Sequence, residues 1–231
     1  MTTYRLRLVE DRLPALPPGT APGSAAPAEL PAANRIVYVV EGSVTLSHPR
    51  GTRTVLADDA WVGAAPLGLV AGPGGAVVYR FELVGAPEPD SGMLAREPIG
   101  TESLQLLSHP VELDPATGWL LRCDRVDFPR GGIAYTHVHQ GPGIRCCLKG
   151  EIRVESGGHS QTMRAGEPWF ESGPEPVIAF TSSTVETAFV RGFVLPRRLQ
   201  GKSSIRYVLP EDKDKPKPQR YRIYGEEFVE L

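Results

Sequence analysis

The chain has 231 residues, enough for one large or two modest domains. Its 25 basic and 27 acidic residues leave a formal charge of −2, so no sequence-independent nucleic-acid binding is expected. No apolar run reaches membrane-spanning length, Met1–Arg7 lacks the apolar core of a signal peptide, and the three cysteines have no paired spacing, so a reducing, cytoplasmic setting is expected.

Twenty-five glycines and 23 prolines punctuate short valine-rich segments, a pattern that predicts an all-β fold. In chain order, residues 14–33 are rich in Ala, Pro and Gly and read as a mobile flap or a plain loop. Residues 35–46 read as strand, Glu41-Gly42 turn and strand. Residues 52–63 parallel 161–170, with Trp61 in the place of Trp169, and are followed by a turn at Pro66–Gly68 and a closing strand over 75–84. Residues 85–92 have linker composition, and Ser103–Leu107 reads as a short strand or a turn of helix.

The second half repeats this plan with different chemistry. After a turn at Phe128–Gly132 comes His137-Val-His139. Side chains alternate along a strand, so two histidines two apart point the same way. Neutral imidazole is the commonest protein ligand for borderline divalent metals, so the pair is half of a metal site or a surface pair beside a turn. Residues 144–154 then give strand, Lys149-Gly150 turn and strand. A second block, 158–177, carries Gly166-Glu167, Trp169, Glu171 and the Ser172-Gly173 turn. In the tail, 211–218 is charged and proline-bearing, while 219–224 regains strand character and 228–231 is apolar enough to dock. The tail lies along the barrels or is exchanged between protomers.

This order of motifs resembles the cupin family. Gly131, His137, His139 and Gly150 fall on the family's first motif, and Gly166, Glu167 and the Ser172-Gly173 turn fall on its second. The glutamate of the first motif is replaced by Gly143 and the histidine of the second falls near Pro176. In the first half, Arg35 stands at the glutamate position and Glu29 and Pro31 at those of the two histidines. The resemblance implies two jelly-roll (double-stranded β-helix) barrels in one chain, bicupin-like: a degenerate, metal-free barrel over 1–93, a second over 94–198, and a tail over 199–231.

It also implies a divalent ion (Fe, Mn, Ni or Zn) held by His137 and His139, with Glu171 as third ligand or as a mere edge carboxylate. Arg145 shares a strand face with Gly143 and Cys147; it anchors an anionic ligand or pairs with Glu171 or Glu175. Cys146 and Cys147 read as barrel packing, and since neighbours alternate faces only one of them can face the cavity; Cys147, with Trp169, is the one expected there. Two functions follow: a metal-dependent oxygenase- or isomerase-like enzyme, or a non-catalytic small-molecule-binding module whose metal site has decayed. A homodimer is the expected assembly if one forms.

Overall fold

The computed structural model describes residues 1–17, 19–20, 25–85, 94 and 96–231. Most of the expected linker at 85–92, and part of the 14–33 segment, lie outside the described residues. The described chain is all-β, of jelly-roll type, with two short 3-10 turns at Arg197–Leu199 and Pro210–Asp212. It divides into two compact units, Met1–Asp114 and Pro115–Leu231.

Unit 1 contains β1 (Thr2–Leu13), β2 (Ala28–Leu30), β3 (Asn34–His48), β4 (Gly51–Leu56), β5 (Asp59–Gly63), β6 (Leu67–Gly85) and β7 (Glu102–Leu113). The long β3 and β6 pair in two blocks separated by register shifts around Val39–Val44. The first block continues as β5-β3-β6-β1-β7; the second carries β4 on β3 and β2 on β6. Inward-facing residues such as Val37, Val39, Leu46, Trp61, Leu69 and Val78 form the core.

Unit 2 contains β8 (Trp119–Phe128), β9 (Ile133–His139), β10 (Gly143–Lys149), β11 (Glu151–Ser156), β12 (His159–Arg164), β13 (Pro168–Glu171), β14 (Val177–Thr181), β15 (Thr187–Pro196), β16 (Ile205–Tyr207) and β17 (Arg220–Val229). They form two five-stranded sheets, β13-β10-β15-β8-β17 and β12-β11-β14-β9-β16. Val126, Phe128, Ile152, Val154, Trp169, Ala179 and Phe189, drawn from both sheets, pack in one cluster.

The pairing plan of unit 1 recurs in unit 2. The halves of β3 pair as β10 and β11 do, and the halves of β6 as β15 and β14 do. Gly42 and Gly150 mark the same bend. Both have positive φ, +75° and +74°, and a Cβ would sit 2.1 Å from Gly75 O in one and 2.4 Å from Glu186 O in the other. Only glycine fits such a position without displacing backbone.

The same plan explains why the units divide at 114/115 rather than at the expected 93/94. β7 pairs with β1 along its length, as β17 pairs with β8. Each unit therefore ends in a strand that returns to its first. The residues expected as a separate tail, 199–231, instead supply β16 and β17 to the two sheets of unit 2, and Phe228 packs against the cluster of Leu120, Phe193, Leu195 and Leu199.

Candidate ligand cavity

Between the sheets of unit 2 lies a cavity of about 200 Å³. That is below the roughly 300–1,000 Å³ of drug-sized sites, so its occupant is small. One wall is apolar, formed by Val126, Phe128, Ile152, Val154, Val177, Ala179 and Phe189. His137, His139, Arg145, Trp169 and Glu171 converge on it. Five of the six expected site residues thus meet in one place.

The strand that carries the histidines holds them as alternation requires. Val177 pairs with His137 on one side of β9, and Tyr207 and Ile205 pair with His137 and His139 on the other. The two rings are nearly perpendicular, with centroids 4.8 Å apart. His137 Nδ1 lies 2.6 Å from the Tyr135 carbonyl, which fixes the proton on Nδ1 and leaves the Nε2 lone pair free. His139 Nδ1 lies 3.3 Å from Ser204 Oγ, and its Nε2 lies 3.5 Å from Glu171 Oε2. Burial depresses the pKa of both histidines. For His139, the charges of Arg145 and Arg191 push it further down.

Glu171 is committed to other partners. Trp169 Nε1 donates to its Oε1 at 2.9 Å, and Arg145 Nη2 stands 2.7 Å from its Oε2. The register that brings Trp169 opposite Arg145 and Glu171 opposite Gly143 places all three at one corner of the sheet. Arg145 is 1 % exposed. Its Nη1 donates to Gly143 O at 2.5 Å, and burial lowers its pKa to about 10 against the opposing pull of Glu171. Glu175, the alternative partner expected for Arg145, is not the acid it meets.

Cys147 packs in the barrel and is not among the residues that line the cavity. Its Sγ donates to Lys149 O at 3.4 Å, toward the Gly150 bend. The β10–β15 register shift between Cys147 and Lys149 accompanies that turn of direction.

The donors present fit a metal only in part. Two histidines offer Nε2, but among the described residues no three His, Cys, Asp or Glu side chains group as a metal site. The place of the missing glutamate is filled: a Cβ on Gly143 would come within 2.7 Å of Phe193 Cδ1, 2.8 Å of Gly192 O and 3.2 Å of Arg145 Nη1. Arg145 and Arg191 each lie with Cζ 4.6 Å from the Phe193 ring centroid, so two guanidiniums share one aromatic surface.

In unit 1 the corresponding strand positions hold a buried charge network. Arg35 and Arg7 both bond Glu82 in adjacent register, and Arg80 bridges Asp11 and Glu82. Arg35 Nη1 also donates to Pro31 O at 2.9 Å. Burial alone would raise the Glu82 carboxyl, but Arg80, Arg35 and Arg7 hold it at about 2. These residues occupy one another.

Sequence reasoning missed Arg191 and the tail residues Ser204, Tyr207, Lys217 and Gln219, all of which line the cavity. Arg191, set in the apolar run of β15, was a readable signal; the tail residues were not, because their place depends on the return of β16 and β17.

Comparison with solved structures agrees with this architecture. An oxalate decarboxylase (OxdC) mutant from Bacillus subtilis matches with TM-score 0.60 at 15% identity, over 93% of this chain and 80% of that one. AerE from Microcystis aeruginosa matches with TM-score 0.52 at 15% identity, over 74% and 84%. A salicylate 1,2-dioxygenase mutant from Pseudoaminobacter salicylatoxidans matches with TM-score 0.50 at 12% identity, over 89% and 73%. The chain has a cupin fold. No protein-family model and no curated protein sequence matches it. Among the described residues, no helix of this cupin-fold chain is long and apolar enough to cross a membrane.

Proposed function

We propose that unit 2 binds a small organic carboxylate in the cavity between its sheets, with Arg145 as the anchoring cation. The carrying observation is Arg145, a cavity-lining residue whose buried Nη2 makes no aligned hydrogen bond. A buried guanidinium with unused donors is costly unless an acceptor arrives, and a carboxylate matches its fork. Four cationic side chains line the cavity (Arg122, Arg145, Arg191 and Lys217) against one acid, Glu171. The apolar wall suits a flat or aliphatic body. Two proteins of similar fold are named for small carboxylates, oxalate and salicylate. His137 and His139 sit beside the anchored group as neutral hydrogen-bonding partners.

A second reading keeps the histidines as ligands of a divalent ion, in a metal-dependent enzyme of oxygenase or isomerase type. The Tyr135 carbonyl favours it, because a clamped Nδ1–H is what orients a ligating imidazole. Calorimetric titration of chelator-treated protein with benzoate separates the two. Binding without metal, lost at least about tenfold in Arg145→Met, supports the carboxylate reading. Binding only after Mn, Fe, Ni or Zn is restored supports the metal reading.

A further inference from the structure

Five buried side-chain polar atoms lack a hydrogen-bond partner among the described residues: Thr101 Oγ1, Asp124 Oδ2, Arg145 Nη2, Glu171 Oε2 and Gln219 Oε1. Three of the five belong to residues lining the one cavity. Buried polar atoms are otherwise nearly always satisfied, so a concentration of orphans in one cavity describes what its occupant must offer. Arg145 and Glu171 at least touch each other. Gln219 Oε1 has no such neighbour.

Gln219 comes from the far side of the sheet. Arg145 and Glu171 lie on β10 and β13, at one edge of the order β13-β10-β15-β8-β17; Gln219 immediately precedes β17, at the other edge. Its Nε2 donates to the Tyr207 hydroxyl at 3.4 Å, which turns the amide so that Oε1 is the free atom. Tyr207 is itself fixed by pairing of β16 with β9, opposite His137. Lys217, two residues earlier, lies with Nζ 4.7 Å from the Tyr207 ring centroid. The tail thus presents a positioned acceptor that a simple carboxylate would leave unsatisfied.

We propose that the C-terminal tail is the second recognition pole of the cavity, and that Gln219 Oε1 accepts a hydrogen bond from a hydroxyl or N–H on the ligand. The ligand class is then a small carboxylate with an apolar ring or chain and a hydrogen-bond donor away from the carboxylate. This rests on the carboxylate reading above and deepens it. A site built around a buried acceptor discriminates strongly against the analogue that lacks the donor, because binding that analogue leaves the acceptor unpaired.

The test uses the full chain and three probes, benzoate, 3-hydroxybenzoate and 4-hydroxybenzoate, titrated calorimetrically into wild type, Gln219→Leu, Tyr207→Phe and Arg145→Met. At least one hydroxybenzoate is expected to bind wild type about tenfold more tightly than benzoate. Gln219→Leu should bring that ratio to about one, by weakening the hydroxybenzoate, and Tyr207→Phe should lower the ratio in part. Arg145→Met should weaken all three probes together. Equal affinity of wild type for all three probes, or a preference that survives Gln219→Leu, overturns the tail pole and leaves the Arg145 reading standing. If no probe binds wild type, both readings fall. Should Gln219→Leu melt well below wild type, the Tyr207→Phe ratio decides alone.

Discussion

Arg145 Nη2 and Glu171 Oε2 lie 2.7 Å apart, yet neither atom makes an aligned hydrogen bond. The contact is Coulombic attraction without the directional bond that usually accompanies it, so an incoming carboxylate displaces charge rather than a well-formed hydrogen bond. On the carboxylate reading proposed above, Glu171 is the ligand's competitor for the guanidinium.

Glu171→Gln should therefore tighten benzoate binding, on the order of tenfold or about 1.4 kcal/mol, while the free protein loses about 3–5 kcal/mol of stability through the uncompensated Arg145. Calorimetry and melting of the variant with and without benzoate measure both. Weaker binding in the variant would contradict the competition and favour Glu171 as a metal ligand.

The two histidines contribute to the pH response of unit 2. Their folded pKa values lie below the usual 6.5, chiefly through burial. As pH falls below about 6.5 the unfolded chain takes up protons that the folded chain refuses, so stability is full above that range and is lost as pH falls toward the depressed values. Melting temperature should drop between pH 7 and pH 5, and His139→Gln should flatten the slope. A slope unchanged in that variant would remove His139 from the account.

Glu82 makes the opposite-edge case in unit 1. Its carboxyl, held at about 2 by three arginines, contributes stability that is present above 4.5 and disappears as pH falls toward 2. Glu82→Gln should cost about 3–5 kcal/mol at neutral pH, because Arg7 and Arg35 lose their shared acid. Urea unfolding at pH 7 provides the number; a change within about 0.5 kcal/mol would mean the network is no more than a surface-like pair.

The cysteines should be silent in the folded protein. Cys123, Cys146 and Cys147 are buried, and burial pushes the Cys147 thiol up to about 11. The thiolate is the reactive form, so a thiol-specific dye at pH 7.5 should label none of the three until denaturant is added. Rapid labelling of the native protein would place Cys147 back in the open cavity.

The His137–His139 pair, the Gly150 bend and the Trp169–Glu171 strand were legible because each depends on local rules: alternation, positive φ and short-range register. The same rules put Cys147 on the face of Arg145, and it packs there among the cavity-wall residues Ile152, Trp169 and Phe189; alternation does not say whether a side chain on that face ends in the cavity or in the packing beside it. Gln219 and Tyr207 were illegible for another reason. Their role comes from pairing of β16 with β9 and β17 with β8: the strand character of 219–224 was readable, but its partner, tens of positions away, was not. β7 was read only in part, as a short strand or helical turn at Ser103–Leu107, because its partner β1 lies at the opposite end of the unit.

Gly143 constrains what its neighbours can become. A glutamate there would have to displace Phe193, the Gly192 carbonyl and the Arg145 guanidinium, all within 3.2 Å of its first side-chain carbon. No single substitution places an acid there without moving its neighbours, and removing Arg145 strands Glu171. A carboxylate at 143 therefore demands coordinated change at 145 and 193, so the backbone of β10 and the side chains around it hold position 143 closed as one unit.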